Sequence, residues 1–355
     1  MKVAIIGGGI CGLACALELE RNGIVPVIFE RDATTGWMWP SVTFWPYIFY
    51  NVYGDPRKYL LEQYKIDFYP IGKVNSVTMK SANNKAKIEG DLGYAIARGS
   101  GDRSLENQLH RQLSQTAIHF NSKEDYKSLS KKYDYVVVAT GKDSEARELG
   151  VWEDEGIIYI IGANIVGSFN PESSEIFFNT DYAGTGYGRV TPFNSSSAVV
   201  GLYIIGKKET DALQYFRDFI RRENLDNNEY VLRFLPPPFT SGKVSKFRVG
   251  NVLLAGQAAG LTERVLGCGA FEALATGTLA ARAIANGDDY DKLVKPFKDH
   301  VENISSFRKI IDKFSNDDFD KLISSLVLPG VKQAIYNTGI GFTDMIGKAL
   351  KIMEK

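Results

Sequence analysis

The sequence predicts an α/β fold in which a nucleotide-binding unit is joined to an antiparallel β-sheet domain and followed by a helical segment. Three observations predict it. The chain opens on strand, glycine turn, helix and strand in "KVAIIGGGICGLACALELERNGIVPVIFER". Apolar strands running into small-residue turns return much later, in "YDYVVVATG" and "VGNVLLAGQAAG". Elsewhere the period changes: "SEIFFNT" and "SAVVGLYIIG" read as strands, and helical patterning takes over after Asp288.

The opening element carries the sharpest signal. Val3 to Ile6 is a continuous apolar run, as in a buried parallel strand. Gly7, Gly9 and Gly12 fit the G-x-G-x-x-G spacing. The first glycine allows a tight turn, the second lets backbone approach a pyrophosphate, and the third lets the helix pack close on the strand. The helix start, at Ile10 and Cys11, offers free N–H groups and a positive dipole end. A second strand, Val25 to Phe29, ends at Glu30 and Arg31, and the Glu30 carboxylate can accept hydrogen bonds from ribose hydroxyls. Together these make a Rossmann-like dinucleotide-binding unit; a glycine-rich turn of another α/β protein is the alternative. Cys11 and Cys15 lie one helical turn apart, but without His or acid beside them they read as small packing residues.

Composition narrows the partners. Lysine plus arginine and aspartate plus glutamate are each 42 in 355 residues, so charge offers no reason to expect nucleic acid or an anionic membrane. Three cysteines make no disulfide framework. The N-terminus begins a strand with no secretory pattern, and the expectation is a cytoplasmic protein. The aromatic stretch "GWMWPSVTFWPYIFYNVYG" is too broken by Pro40 and Pro46 to span a membrane, so no integral membrane segment is expected. His110, His119 and His300 lack ligand spacing, and no metal site is expected.

Three later stretches specify the class. "GYAIARGSGDRSLENQLHRQL" carries Arg98 at a strand end, "YDYVVVATGKDSEARELG" carries Thr140 and Gly141, and "VGNVLLAGQAAGLTERVLGCGAFEALATGTLAARAIANG" carries Gly256, Gln257, Gly267, Cys268 and Gly269. In this order they resemble the flavoprotein family typified by p-hydroxybenzoate hydroxylase. The likeness is greatest to its geranylgeranyl reductase branch, which also carries a stretch similar to "YAGTGYGRVTPFNSSSAVVGLYI". The resemblance covers roughly residues 1 to 290. It implies FAD as cofactor, held by the residues just named together with those of the opening turn. It also implies hydride transfer to a double bond of an apolar, isoprenoid-type small molecule. NAD(P)H as a transient donor, an electron-donor protein and peripheral membrane contact are left open. So are two other functions, an aromatic monooxygenase and a non-catalytic flavin-binding or electron-carrying protein. This chain has Gln257 where the family has aspartate, Glu263 and Arg264 where it has D-P, and Thr140–Gly141 where the monooxygenases have D-G.

In the resembling fold the FAD-binding domain is discontinuous, which places it here at 1–65, 90–150 and 243–290. The substrate domain is then an antiparallel sheet from 66–89 and 151–242, with a covering helix over Glu209 to Asn224, and "FLPPPF" crosses back. Residues 291–355 form a C-terminal helical segment broken at Pro329–Gly330. Trp37, Trp39, Phe44 and Trp45 read as walls of a substrate cavity, or else as interdomain core. Cys268 is the one catalytic candidate, a thiol at a helix start whose pKa would be depressed, or else a small filler. Arg98 either reaches the cofactor or serves a surface salt bridge.

Overall fold

The computed structural model describes residues 1–36 and 38–328. It contains two sheets. The first is six-stranded, in the order β14-β15-β7-β1-β2-β6. Its strands are β1 (Val3–Ile6), β2 (Val27–Phe29), β6 (Ala117–His119), β7 (Tyr135–Val138), β14 (Arg248–Val249) and β15 (Val252–Leu254). All pair in parallel except β14, which turns back on β15. Ala4, Ile5, Val136 to Val138, Leu253 and Leu254 are fully buried, because helices and loops cover both faces. The helix Ile10–Arg21 packs on the long helix Ala270–Asn286 against this sheet.

The second sheet is nine-stranded, in the order β12-β8-β11-β10-β9-β4-β5-β3, with β13 also on β8. Its strands are β3 (Ser41–Pro46), β4 (Gly72–Lys80), β5 (Lys85–Arg98), β8 (Trp152–Val166), β9 (Ser173–Phe177), β10 (Tyr187–Pro192), β11 (Ser197–Ile204), β12 (Glu229–Phe234) and β13 (Phe239–Val244). Every pairing is antiparallel save one. β4 runs parallel to β9, since the 72–98 hairpin joins the sheet from a remote part of the chain. The hairpin also runs on past residue 90, and its end pairs with β3 from Ser41↔Arg98 to Pro46↔Gly93. The aromatic stretch therefore enters this sheet as an edge strand.

The two faces of the sheet have different cover. On one, the helix Ala212–Arg222 presses Phe216 and Phe219 onto Phe177, Val190, Val200 and Leu202. The other carries Val42, Val74, Tyr187, Val199 and Phe234, with Trp39, Phe44 and Leu266 packed on them. Leu266 also belongs to the core of the first sheet, so this face looks onto the seam between the two units. The C-terminal part is helical over Tyr290–Ser305, Arg308–Ile311 and Asn316–Ser325. The last of these is tied to the 81–84 turn, where the Asp320 carboxylate accepts from Ser81 Oγ at 2.5 Å, Asn83 N at 3.0 Å and Asn83 Nδ2 at 2.7 Å. The expected break at Pro329–Gly330 lies outside the described residues. Among the described residues no helix is long and apolar enough to cross a membrane, and no cluster of His, Cys, Asp or Glu could hold a metal.

Candidate active site

Register gathers the sequence motifs into one row. Ile6 is level with Phe29 and Val138, and Val138 is level with Leu254. The residues just beyond those strand ends therefore lie side by side along the C-terminal edge of the parallel sheet. They are Gly7, Glu30, Thr140–Gly141 and Gly256–Gln257, and such an edge is where open α/β sheets bind ligands.

At Gly7 the backbone has φ +105°, and a Cβ would sit 2.5 Å from the Ala139 oxygen. A Cβ on Gly12 would lie 2.0 Å from the Gly7 oxygen, so this turn excludes any side chain at either position. Gly9 is different, because a Cβ there meets nothing within 4 Å. It caps the Ile10–Arg21 helix without a side-chain hydrogen bond, leaving the first N–H groups, Ile10 and Cys11 among them, facing that opening. Cys11 and Cys15 are buried free thiols, and burial pushes Cys11 up to about 12. The Glu30 carboxylate accepts Gly8 N at 2.6 Å and Asp32 N at 2.8 Å, which fixes its orientation. Arg31 is exposed and pairs with Asp32 at 3.4 Å. Thr140 Oγ1 donates to Glu145 at 3.1 Å, and Gly256 N donates to buried Thr276 Oγ1 at 3.1 Å. Gln257 is half-buried on the following turn.

Arg98 makes an ion pair, but not a surface one. Its Nε donates to Glu106 at 2.8 Å, and the Glu106 side chain is fully buried. Glu106 also accepts Gly99 N at 3.1 Å.

The expectation of a reactive Cys268 is corrected. The helix begins at Ala270, so Cys268 precedes the cap, Gly269, and gains little from the dipole. Its N–H donates at 2.7 Å to Glu263, which also accepts Val265 N at 2.6 Å and Leu266 N at 3.1 Å. Burial, together with the Glu263 and Glu272 carboxylates, pushes the Cys268 thiol well above its ordinary range. It holds its proton.

The aromatic wall is corrected in part. Trp39 stacks on Phe234 at 6.1 Å, and Phe44 joins it on the inner face of the nine-stranded sheet. Trp45 does not join them. It is 1 % exposed and packs on Tyr50, Phe68 and Phe271 in the core of the first unit. Phe44 and Trp45 are neighbours on one strand, and successive strand residues point to opposite faces. Trp37 lies outside the described residues.

With this geometry in place, comparison with known proteins is informative. The family model of pyridine nucleotide-disulphide oxidoreductases matches residues 1–170. Digeranylgeranylglycerophospholipid reductase 1 of Methanosphaera stadtmanae is 27% identical over 166 residues, a match spanning 43% of this chain and 41% of that protein. Digeranylgeranylglycerophospholipid reductase 3 of the same organism is 25% identical over 363 residues, 92% of this chain and 90% of that protein. A geranylgeranyl bacteriochlorophyll reductase-like structure from Thermoplasma acidophilum superposes with TM-score 0.73 at 16% identity, covering 99% of this chain and 98% of that one, which shows a shared fold.

The chain is similar in sequence to these reductases and shares the fold of a geranylgeranyl reductase-like protein.

Sequence reading gave no site role to three polar residues here. Glu263 anchors the 263–268 loop as described. Glu272 lies one turn into the long helix, fully enclosed, and burial pushes its carboxyl up to about 8. Its Oε2 has no partner, and its Oε1 is 4.0 Å from His300 Nε2, which is likewise unpartnered. Burial lowers the His300 pKa, so the two face each other uncharged near neutrality. The available signal was a lone acid inside the apolar run "GAFEALATG". The third is Arg189. It stands in the quoted "GYGRVTP" and projects from β10 onto the apolar inner face.

Proposed function

We propose that this oxidoreductase reduces carbon–carbon double bonds of an isoprenoid chain bound in the seam between the sheets. The carrying observation is the inner face of the nine-stranded sheet, where Val42, Val199, Phe234, Trp39 and Phe44 lie over Leu266. Such a surface excludes water and orients a long apolar chain by contact area. The relatives named above as digeranylgeranylglycerophospholipid reductases support this substrate class.

The residues on the sheet edge fit FAD. The opening beside Gly9 admits a pyrophosphate against the free N–H groups of Ile10 and Cys11. Glu30, with each oxygen held by one backbone donor, keeps acceptor capacity for ribose hydroxyls. Arg98 gives its Nε to Glu106, and Gln257 offers a neutral amide on the Gly256–Ala259 turn. FAD supplies hydride chemistry when bound. The chain's own part is to position that cofactor, keep the seam dry, and hold protons at Cys268 Sγ and on the Glu272 carboxyl.

Ring truncation tests the reading. Trp39→Ala or Phe44→Ala removes on the order of 100 Å² of contact, which should weaken a farnesyl-length ligand on the order of 50-fold with FAD content intact. Trp45→Ala should instead cost roughly 3–5 kcal/mol of stability. Unchanged ligand affinity in both Trp39 and Phe44 variants would remove the seam as the binding surface.

A further inference from the structure

Arg189 is a cation set into an apolar surface. It lies on β10 with Tyr187 and Thr191 to either side on the same face, opposite Gly201 of β11. Its Nη1 donates to the Val42 oxygen at 2.7 Å and to Thr191 Oγ1 at 3.1 Å, and its Nε donates to Tyr203 Oη at 3.2 Å. The guanidinium lies 5.7 Å from the centre of the Tyr203 ring. Tyr203 in turn stacks on Tyr187 at 4.6 Å, and the Tyr187 hydroxyl reaches across the seam to the Leu266 oxygen at 2.6 Å. All of these partners are neutral. Among the described residues no carboxylate pairs with Arg189, and Nη2 takes no hydrogen bond.

A guanidinium drawn out of bulk water costs free energy unless an anion compensates it. Three neutral acceptors take the Nε proton and both Nη1 protons and leave the Nη2 protons over, which suits a charge-assisted hydrogen bond to a carboxylate or phosphate oxygen. The surroundings favour an anion on the substrate. Tyr203, Thr191 and Arg189 form a polar island within the hydrophobic wall that the chain would cover, whereas the N–H groups of the 263–268 loop are already taken by Glu263.

We propose that Arg189 binds the anionic end, phosphate or carboxylate, of the substrate, and so selects charged over neutral isoprenoids. This rests on the isoprenoid reading above, and the experiment separates the two. FAD-loaded protein is titrated with geranylgeraniol and with geranylgeranyl monophosphate, following the flavin spectrum. Wild type should bind the monophosphate about 10-fold more tightly than the alcohol, the worth of one charge-assisted hydrogen bond. Arg189→Gln, which retains a donor for the Val42 oxygen, should bring that ratio to about one, with alcohol affinity and the flavin midpoint potential unchanged. Arg189→Lys should keep part of the ratio, and it serves if the glutamine variant does not fold. An unchanged ratio in a folded Arg189→Gln protein overturns the proposal. So does a fall in midpoint potential with the ratio intact, which would make the flavin ring the anion. If neither prenyl compound binds, the isoprenoid reading fails. Inorganic phosphate then decides the site: a rise in the melting temperature of the FAD-loaded wild type, absent in Arg189→Gln, supports it, and no rise in either overturns it.

Discussion

Two helix starts face the candidate site, and they are built oppositely. Neither Gly9, before Ile10–Arg21, nor Gly269, before Ala270–Asn286, is capped by a side chain. At Gly9 there is open space, and the first helical turn has no acid. At Gly269 a Cβ would meet Thr262 Oγ1 at 2.4 Å, and the first turn carries Glu272. Glu263 adds a second buried carboxylate beneath the preceding loop. The first start can receive a doubly charged pyrophosphate. The second is suited to an uncharged edge, and burial keeps it so by holding Glu272 protonated at pH 7. Two glycine-capped helix starts thus serve different electrostatic tasks, and the difference is made by their surroundings.

The glycine turn gives the largest test. Gly12→Val drives a side chain into the Gly7 carbonyl and should abolish a folded, FAD-containing protein. A Cβ at Gly9 meets nothing within 4 Å, so Gly9→Val should fold with a near-native circular dichroism spectrum and lose most of its FAD. Full FAD content in Gly9→Val would mean that the opening is not the pyrophosphate site.

The second start is tested by pH. The folded Glu272 pKa of about 8 lies above its ordinary value of 4.5. Its contribution is therefore fully present below about 4.5 and is lost as pH rises through 8, because the unfolded chain releases that proton first. Unfolding free energies from denaturant titrations should fall between pH 5 and pH 8 by an amount on the order of a few kcal/mol. Glu272→Gln should flatten that fall. An equally steep fall in the variant would show that another group titrates.

A smaller effect is expected at Glu263. Glu263→Gln removes the charge that helps keep Cys268 protonated, so alkylation of Cys268 by iodoacetamide at pH 8.5 should accelerate several-fold, since the thiolate is the nucleophile. An unchanged rate would assign the raised pKa to burial alone. The smallest effect is expected at Gln257. Gln257→Asp exchanges a neutral acceptor for a charged one and should tighten FAD modestly, by less than about 10-fold, seen in the titrated dissociation constant. Weaker binding would place this residue near a phosphate rather than a hydroxyl.

These contrasts also mark what could be read from the chain. Val3 to Glu30 was legible because period, glycine spacing and the terminal acid all constrain one local unit. The strands of the second sheet were legible one by one, but the parallel pairing of β4 with β9 was not, since remote segments choose it. The split between Phe44 and Trp45 follows from strand alternation once 41–46 is known to be a strand. Cys268 was misjudged because dipole reasoning ignored the burial that folding imposes on it and the acids Glu263 and Glu272 to either side in the sequence. Arg189 was in view as part of a pattern, yet its isolation from any acid is a tertiary fact.

The central claim is that flavin in this seam reduces an alkene. An anaerobic single turnover tests it most directly: FAD-loaded protein, reduced with dithionite and freed of excess reductant, is mixed with geranylgeranyl monophosphate. The flavin should reoxidise without oxygen, and mass spectrometry should show the prenyl chain gaining two hydrogens for each double bond reduced. A flavin that stays reduced beside a prenyl chain of unchanged mass would contradict the account.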